Sequence, residues 1–343
     1  MEYSRLGSSD LNVSKICLGT MTFGEQNSET QAHEQLDLAL GCDINFLDTA
    51  EMYPVPPRKD TQGKTEQFIG SWLKKKKCRD QIIIASKVSG PGMLDYMHDG
   101  PALTGKHMEQ ALHKSLQRLG TDYLDLYQVH WPARRTNFFG RLGYQHVDEL
   151  STSIEVTLEA LDTFVKAGKV RYIGISNETP WGVKRYLELS EKNSWPKIVS
   201  IQNPYSLLNR TYEVGLAEFS HHENIGLLAY SPLGFGMLTG KYLNNANPEG
   251  GRLTLYEHYT RYSDPQAISA TVEYIKLAEK YGLKPAQMAL AFVNTRSFMG
   301  ANIIGATNLE QLKENIESID VTLTNEVIEG IESIHKQFPN PSP

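Results

Sequence analysis

Strand-like and helix-like segments alternate along the whole of this 343-residue sequence. Each short run of aliphatic and β-branched residues is followed by a longer segment whose apolar residues recur at helical spacing. In Gly105–Leu119, for example, Leu112, Leu116 and Leu119 fall on one face. The eight predicted strands are Ile16–Leu18, Ile44–Asp48, Ile82–Lys87, Leu124–His130, Val170–Ser176, Ile198–Asn203, Gly226–Tyr230 and Asn302–Gly305. Eight successive strand–helix units predict an α/β fold, the (β/α)₈ TIM barrel.

The remaining segments complete this pattern. Residues 2–18 alternate around Gly7–Asp10, which predicts an N-terminal β-hairpin. An extra C-terminal helix is predicted at Asn325–Lys336. The helices predicted between the strands are Ser28–Leu40, Lys64–Lys77, Gly105–Leu119, Ser153–Ala167, Thr179–Glu191, Tyr212–His222, Pro265–Tyr281, Pro285–Asn294 and Asn308–Ser318.

An open, doubly wound sheet that divides near residue 150 is the alternative architecture. Two observations disfavour it. The strand–helix repeat continues from end to end without a linker, and the first strand is not followed by the glycine fingerprint of a dinucleotide-binding fold. The nearest match, Gly234–Gly240, has the wrong final spacing and follows the seventh strand. We therefore predict a single barrel domain over residues 1–343.

Composition limits the partners of the chain. A net charge of −6 argues against nucleic acid or an anionic membrane as the main partner. The N-terminus does not resemble a signal peptide, and the most apolar window, residues 225–238, is interrupted by proline and glycine. The three cysteines, Cys17, Cys42 and Cys78, fit a reducing compartment. We expect a cytoplasmic protein, either a monomer or a weak homo-oligomer.

Polar residues end three of the predicted strands. Asp48, Lys87 and His130 occupy these positions, and Tyr53 follows Asp48 by five residues. Each has a structural explanation when taken alone, such as a turn, a solvated strand end or simple packing. Together they are more typical of a site, because buried strands rarely end in such groups and barrel active sites lie at the carboxyl ends of the strands.

The chemistry of these four residues suits proton transfer to a carbonyl group. A lysine beside a phenol favours the phenolate, so we expect Lys87 to lower the pKa of Tyr53. The carboxylate of Asp48 would hold that lysine charged, and the imidazole of His130 would orient a carbonyl oxygen. The neighbouring Glu51 is acidic for such a site and has no assigned role. The doublet His221–His222 lacks metal-ligand spacing, so we predict no metal.

Three connections are too long to be simple links between elements: Pro54–Gly63, Trp131–Thr152 and Ser231–Ser263. All three follow a predicted strand and therefore belong to the active-site face of a barrel. The stretch Thr136–Tyr144 is aromatic and contains two glycines. We expect it to cover a ligand, although packing on the barrel rim is the alternative.

Short motifs throughout the chain resemble those of the aldo-keto reductases. They are Leu18–Gly24 (LGTMTFG), Phe46–Ala50 (FLDTA), Ala85–Val88 (ASKV), Tyr127–His130 (YQVH), Gly174–Asn177 (GISN), Ile201–Asn203 (IQN) and Gln311–Asn315 (QLKEN). The stretch Asp48–Tyr53 with its following Pro-Val-Pro-Pro loop, and the stretch Ile201–Asn209, resemble the bacterial Tas-like branch in particular.

This resemblance implies an NADPH-dependent oxidoreductase that reduces the carbonyl group of a small aldehyde or ketone, with NADPH or NADP⁺ extended across the barrel face. Its four catalytic residues would be Tyr53 as proton donor, Asp48, Lys87 and His130. Ser176, Asn177 and Gln202 would bind the carboxamide, and Tyr230 would stack on the nicotinamide. The positions assigned to the cofactor are Gly19, Thr20, Met21, Asp48, Ser176, Asn177, Gln202, Tyr230, Ser231, Pro232, Leu233, Gly234, Phe235, Gly236, Lys241, Arg252, Gly305, Thr307, Gln311, Glu314 and Asn315.

Two positions depart from the family pattern. Many members carry Lys and Arg as ligands of the 2′-phosphate where this chain has Gly305 and Gln311. Phosphate recognition would then rest on Lys241, Arg252 and hydroxyl or backbone donors. The alternative function is a regulatory module that holds the cofactor as a redox sensor with little turnover. A structural protein that kept only the fold is a third hypothesis, which the four intact polar groups disfavour.

Overall fold

A closed barrel of parallel strands forms the centre of the molecule in a computed structural model, which describes residues 1–98, 100, 102–147 and 152–342. Two short strands precede the barrel, β1 (Tyr3–Arg5) and β2 (Asn12–Ser14), and pair antiparallel as the predicted hairpin. The barrel strands in the described chain are β3 (Ile16–Gly19), β4 (Phe46–Asp48), β5 (Ile83–Val88), β6 (Leu124–Val129), β7 (Val170–Ser176), β8 (Ile198–Pro204), β9 (Gly226–Tyr230) and β10 (Met299–Ile304). Neighbours pair in parallel and β10 closes on β3, so the predicted (β/α)₈ architecture is confirmed.

Helices connect these strands on the outside of the barrel. They are α1 (Glu29–Gly41), α2 (Lys64–Lys76), α3 (Gly105–Leu119), α4 (Ile154–Lys166), α5 (Pro180–Asn193), α6 (Tyr212–Gly215), α7 (Ala217–His222), α8 (Arg252–Leu255), α9 (Pro265–Lys280), α10 (Pro285–Asn294), α11 (Leu309–Glu317) and α12 (Asn325–Gln337). Side chains at the N-caps accept hydrogen bonds from the first-turn amides, which fixes where these helices begin. These capping residues are Ser28, Thr104, Ser153, Thr179, Asp264, Asn308 and Thr324.

Two predicted boundaries were wrong. The helix expected at Tyr212–His222 is broken into α6 and α7 beside Gly215, a residue that weakens a helix interior. The last barrel strand begins at Met299, three residues before the predicted Asn302. Gly300 concealed this start because glycine is uncommon inside strands. It is required here, since a Cβ at Gly300 would lie 2.8 Å from the Leu6 side chain.

The barrel interior is apolar at the amino-terminal end of the strands. Its side chains and those of the hairpin form one buried cluster: Leu6, Leu11, Val13, Cys17, Phe46, Ala85, Leu126, Val199, Leu228, Ala301 and Ile303. Leu6 and Leu11, on either side of the hairpin turn, are 0% and 2% exposed. Gly7 in that turn has a φ of 55°, and a Cβ there would lie 2.2 Å from the Val199 carbonyl oxygen. The hairpin therefore closes this end of the barrel.

The interior becomes polar at the carboxyl-terminal end. Side chains in a strand alternate between faces, so the residue two positions beyond each interior apolar residue also points inward. Asp48 follows Phe46, Lys87 follows Ala85, and both are buried. The fold thus places a charged layer directly above an apolar one.

None of the helices in the described ranges has the length and apolar character needed to cross a lipid bilayer. The expectation that residues 1–343 form a single domain stays a prediction.

Candidate active site

An ion pair lies at the centre of the polar layer. The Lys87 ammonium is 2.6 Å from Asp48 Oδ2 and donates a further hydrogen bond of 2.8 Å to the Thr49 carbonyl. Lys87 is 0% exposed and Asp48 2%. The other carboxylate oxygen, Oδ1, accepts hydrogen bonds from Gln202 Nε2 at 2.8 Å and Gln128 Nε2 at 3.4 Å. Burial and these donors hold the carboxylate and the ammonium in fixed positions.

Tyr53 is delivered to this pair by the loop after β4. Its hydroxyl lies 3.4 Å from the Lys87 ammonium, which donates to it. The edge of the Tyr53 ring faces His130, with 5.8 Å between ring centroids. The structure therefore brings together all four residues that the sequence singled out as catalytic.

The expected lowering of the Tyr53 pKa was wrong. Burial of the phenol raises its pKa above the usual value, and the charge of Asp48 adds to this rise. Lys87 and Arg252 act in the opposite direction without reversing it. The neighbouring lysine can be inferred from the sequence, but the loss of solvation, which disfavours a buried phenolate, cannot. Tyr53 therefore keeps its proton at neutral pH.

Lys87 and His130 carry different charges in this environment. Burial acts to lower the pKa of Lys87, but the charges of Asp48 and Tyr53 and the hydrogen bonds to both groups together outweigh it, so the pKa is raised. Burial, with a smaller contribution from Lys87, holds the pKa of His130 well below its usual value. At neutral pH Lys87 is thus a cation and His130 a neutral imidazole. The His130 Nδ1 atom is buried without a hydrogen-bond partner among the described residues.

Four further predicted residues form a second hydrogen-bonded group beside the first. Tyr230 donates from its hydroxyl to Asn177 Oδ1 at 2.7 Å. Asn177 Nδ2 donates to the His130 carbonyl at 2.8 Å and to Ser176 Oγ at 3.0 Å. Ser176 donates in turn to the Gln202 carbonyl at 2.7 Å. Ser176 and Tyr230 end β7 and β9, as expected for a site at the carboxyl ends of the strands.

Both cations predicted to bind phosphate flank the loop after β9. The Lys241 ammonium lies 3.3 Å from the point where Gly236 would carry a Cβ. The Arg252 guanidinium lies 4.1 Å from the centre of the Phe235 ring, and its Nη1 is 3.7 Å from Met21 Sδ. Neither Lys241 nor Arg252 forms an ion pair with a carboxylate in the part of the chain that the structure describes.

The loop after β9 is stabilised by its own backbone hydrogen bonds. It contains six positions assigned to the cofactor, Ser231, Pro232, Leu233, Gly234, Phe235 and Gly236. Gly234 and Gly236 both have positive φ, as do Ser231 and Phe235. However, the Gly234 and Gly236 amides donate to the carbonyls of Ser231 and Leu233 within the loop, at 2.9 and 3.0 Å. These two amides therefore hold the turn.

The structure brings only some of the cofactor positions predicted after β10 into contact with one another. Asn315 Nδ2 donates to the Gly305 carbonyl at 3.1 Å, and Gln311 Oε1 accepts from the amide and hydroxyl of Thr307, each at 3.1 Å. The carboxylate of Glu314 instead contacts Lys284, the residue before α10, at 3.2 Å.

The three cofactor positions predicted at the end of β3 and directly after it make structural contacts. Thr20 is 0% exposed and donates its hydroxyl to the Asp48 carbonyl at 2.8 Å, so it fastens β3 to β4. A Cβ at Gly19 would lie 2.8 Å from Ile303, so glycine is needed there for packing between strands. Met21 packs against the apolar cluster that contains Tyr53.

Glu51 has a structural role that the sequence did not reveal. Its buried carboxylate accepts a hydrogen bond of 2.8 Å from the Ser89 amide and pairs with His98 Nε2 at 2.9 Å. It thereby ties the Tyr53 loop to the loop after β5. Little in the sequence indicates the contact between Glu51 and His98, because His98 lies in a glycine-rich stretch without any motif.

Glu51 and His98 form a compact cluster with His107, with ligating atoms within 4.8 Å of one another. A cluster of this composition can bind a metal ion. However, His107 Nδ1 accepts hydrogen bonds from the amides of Ala102 and Leu103 at 3.0 and 3.2 Å. The proton of the neutral ring is therefore on Nε2, the atom left to face the cluster. This tautomer does not favour metal binding, and the absence of a metal stays a prediction.

Aromatic and sulfur-containing side chains surround the Tyr53 hydroxyl. Trp131 packs beside His130 with 5.0 Å between ring centroids, and Phe139 lies 6.0 Å from Trp131. The buried residues of this wall are Ala50, Met52, Tyr53, Leu94, Met97 and Trp131, with Met21, Val55, Tyr96, Phe138 and Phe139 packed against them. Such a wall offers an apolar surface to a ligand, with the polar layer at its base.

The loop after β6 contributes a cavity of its own. It has a volume of about 540 Å³ and is lined by Arg135, Thr136, Asn137, Arg141, Leu142, Gly143, Tyr144 and Gln145. Phe138 and Phe139 point from the same loop toward the aromatic wall, whereas Leu142 and Tyr144 are 71% and 62% exposed. Residues 148–151 of the predicted connection lie outside the described residues.

Comparison with known proteins agrees with this structure. A model described as "Aldo/keto reductase family" matches residues 15–336. "Protein tas" of Escherichia coli (strain K12) is 55% identical over 346 aligned residues, which cover 100% of both chains. The L-glyceraldehyde 3-phosphate reductase of the same strain is 30% identical over 332 aligned residues, covering 93% of this chain and 88% of that protein. Versiconal hemiacetal acetate reductase of Aspergillus parasiticus is 29% identical over 363 aligned residues, covering 97% and 96%.

The fold is that of a barrel oxidoreductase. The chain belongs to the aldo/keto reductase family, and the resemblance to its Tas-like branch is confirmed by a relative aligned along the full length.

Proposed function

We propose that the protein is an NADPH-dependent reductase that converts an aldehyde or ketone to an alcohol, with Tyr53 as the proton donor. One observation carries this proposal. The Lys87 ammonium lies between the Asp48 carboxylate, at 2.6 Å, and the Tyr53 hydroxyl, at 3.4 Å. A buried cation in contact with a phenol stabilises the negative charge that forms as the phenol gives up its proton.

Each of the four residues has a separate task in this reaction. Tyr53 carries a proton at neutral pH because burial raises its pKa. It gives that proton to the carbonyl oxygen, and Lys87 stabilises the resulting phenolate. Asp48 keeps Lys87 charged and in place. His130 is neutral and borders the phenol ring, so it orients the carbonyl oxygen without adding a second positive charge.

The residues beside the polar layer fit a nicotinamide cofactor. When bound, the cofactor supplies a hydride to the carbonyl carbon. The Gln202 side-chain oxygen accepts no hydrogen bond from the described residues, so it is available to a carboxamide N–H, and Ser176 and Asn177 are adjacent. Tyr230 is held by Asn177 at the mouth of the barrel, where its ring can stack on the nicotinamide.

Lys241 and Arg252 favour NADPH over NADH. Both lie against the loop after β9 with no carboxylate partner among the described residues. Charge-assisted hydrogen bonds to phosphate are strong, so uncompensated cations there suit a ligand with an additional phosphate. Gln311 cannot replace the arginine of other family members, because a side-chain amide carries no positive charge; its oxygen accepts hydrogen bonds from Thr307.

Two relatives are named for the reduction of unlike substrates, L-glyceraldehyde 3-phosphate and versiconal hemiacetal acetate. We carry over to this chain only the common feature, a small-molecule carbonyl or masked carbonyl. A cytoplasmic location and a monomeric or weakly oligomeric state stay predictions.

The loss of NADPH absorbance with a panel of aldehydes and ketones tests the proposal. We expect turnover within the ordinary enzymatic range of about 1–10³ s⁻¹ for at least one compound. NADPH binding with turnover far below this range across the panel would instead favour the redox-sensor alternative, which the same four residues allow.

A further inference from the structure

Arg261 lies over the mouth of the site and is not used by the proposed reaction. It is half-buried, in the loop between α8 and α9. Its guanidinium carbon lies 5.5 Å from the centre of the Phe139 ring and 5.7 Å from that of Phe235. It also lies next to the Tyr230 phenol: burial raises the pKa of Tyr230, and the charge of Arg261 acts against this rise. The Arg261 side chain therefore bridges the loops after β6 and β9.

These contacts place Arg261 above the polar layer. On one side, Phe139 packs on Trp131, and Trp131 packs on His130. On the other, Tyr230 is hydrogen-bonded to Asn177, which holds the His130 backbone. The ring contacts on one side and the hydrogen bonds on the other therefore both connect Arg261 with His130. A Cβ at Gly140 would lie 3.1 Å from Arg261 Cγ, so glycine there makes room for the arginine stem.

Arg261, unlike Arg134 and Arg210, has no carboxylate partner in the described chain. Arg134 binds both oxygens of Glu178 at 2.6 Å, and Arg210 binds both oxygens of Glu213 at 2.8 Å. In contrast, Arg261 has only aromatic neighbours, and its Nε is buried without a hydrogen-bond partner. A desolvated guanidinium with an unused donor is well suited to bind a carboxylate or phosphate in two-point fashion.

We infer that Arg261 binds an anionic group on the carbonyl substrate, so that the preferred substrates are small aldehydes or ketones bearing a carboxylate or a phosphate. This inference rests on the proposed reductase function. The substrate rather than the cofactor is the ligand because Arg261 reaches Phe139, 5.5 Å away, in the loop after β6, where no cofactor position is assigned. The cations assigned to the cofactor, Lys241 and Arg252, lie against Gly236 and Phe235 of the loop after β9, at 3.3 and 4.1 Å.

The test compares charged and neutral aldehydes of matched shape. The ratio of kcat/KM for 4-carboxybenzaldehyde to that for 4-formylbenzamide measures the contribution of a carboxylate. The ratio of kcat/KM for glyceraldehyde 3-phosphate to that for glyceraldehyde measures the contribution of a phosphate. For at least one pair we expect the anionic member to be preferred, and Arg261→Met to reduce that preference by about 10- to 100-fold, as the loss of a charge-assisted contact requires. Arg261→Lys should retain part of it.

Arg141→Met is the matched control, since it removes an exposed cation from the neighbouring loop, where it stacks on Phe138. An equal loss of preference in this control would show a general field effect and overturn the inference. Equal kcat/KM for charged and neutral aldehydes in the wild type would overturn it too, while leaving the reductase function intact. A weaker affinity of Arg261→Met for NADPH, by direct titration, would assign the residue to the cofactor instead. Absence of turnover with all four aldehydes would count against the proposed function itself.

Discussion

The Lys87 ammonium and the Asp48 carboxylate form a 2.6 Å ion pair one residue layer above the apolar interior of the barrel. Both partners are buried, so neither charge can be solvated if the other is removed. The pair therefore links the stability of the barrel to the chemistry of its site.

Removal of one partner should be costly for folding. Lys87→Met leaves Asp48 as an unpaired buried charge, which we expect to lower the free energy of unfolding by about 3–5 kcal/mol. The double variant Asp48→Asn/Lys87→Met should lose less than the sum of the two single variants, because it leaves no buried charge. Urea unfolding of the four proteins of this cycle measures the difference. Strict additivity would mean that the two groups do not interact.

Tyr53→Phe should abolish most carbonyl reduction without disturbing the cofactor. The ring still packs against its neighbours, but the proton is absent. We expect kcat to fall by about 10²–10⁴-fold, the usual contribution of a general acid, with the Kd for NADPH nearly unchanged. Steady-state kinetics and fluorescence titration provide both values. Tyr96→Phe, a phenol of the same aromatic wall, is the control and should retain activity.

Arg252→Met should weaken the binding of NADPH more than that of NADH. In the wild type we expect NADPH to bind more tightly by roughly 2–4 kcal/mol, if each of the two cations contributes ~1.5–3 kcal/mol before solvent screening. The variant should lose about half of this difference. Fluorescence titration with both cofactors measures this difference in affinity. Equal wild-type affinities would show that the glycine and glutamine at positions 305 and 311 remove the preference.

The stability of the protein should fall as the pH drops below about 6.5. Burial holds the pKa of His130 well below its usual value in the folded state, so the unfolded chain takes up a proton first. The unfolded state then binds more protons, and stability decreases with falling pH by at most about 1.4 kcal/mol per pH unit for this group. The contribution of His130 to stability is complete above the pKa of the unfolded chain. It is lost as the pH falls from that value to the lower pKa of the folded state.

Urea unfolding of wild type and His130→Gln at pH 7.5, 6.5 and 5.5 measures this dependence. The variant should lose less stability between pH 6.5 and pH 5.5 than the wild type does. An identical slope in both proteins would show that other groups cause the pH dependence. His107, whose pKa burial also lowers, will leave part of the slope in the variant.

The barrel and the positions of the four polar residues were predictable because both rest on local patterns. The alternation of strands and helices determines the fold, and strand parity places Asp48 and Lys87 on the inner face. The same parity would have identified Gln128, two residues after the interior Leu126, as a further partner of Asp48. The sequence argument missed it because an amide alone suggests no chemistry.

Other features depend on contacts between distant segments and left no local signal. His98 meets Glu51 across 47 positions in the chain, and Arg261 reaches Phe139 from a different loop. The pKa of Tyr53 was predicted in the wrong direction for a related reason. Its burial depends on how the loops after three strands pack together, whereas the neighbouring lysine could be inferred from spacing alone.

The hairpin at the amino-terminal end closes one opening of the barrel. Leu6, Leu11 and Val13 fill that opening, so a ligand of the polar layer reaches it from the carboxyl-terminal end of the strands. Two ligands that share this route cannot exchange independently of each other. Whichever lies deeper must enter first and leave last, so the order of binding follows from the three apolar side chains at the far end.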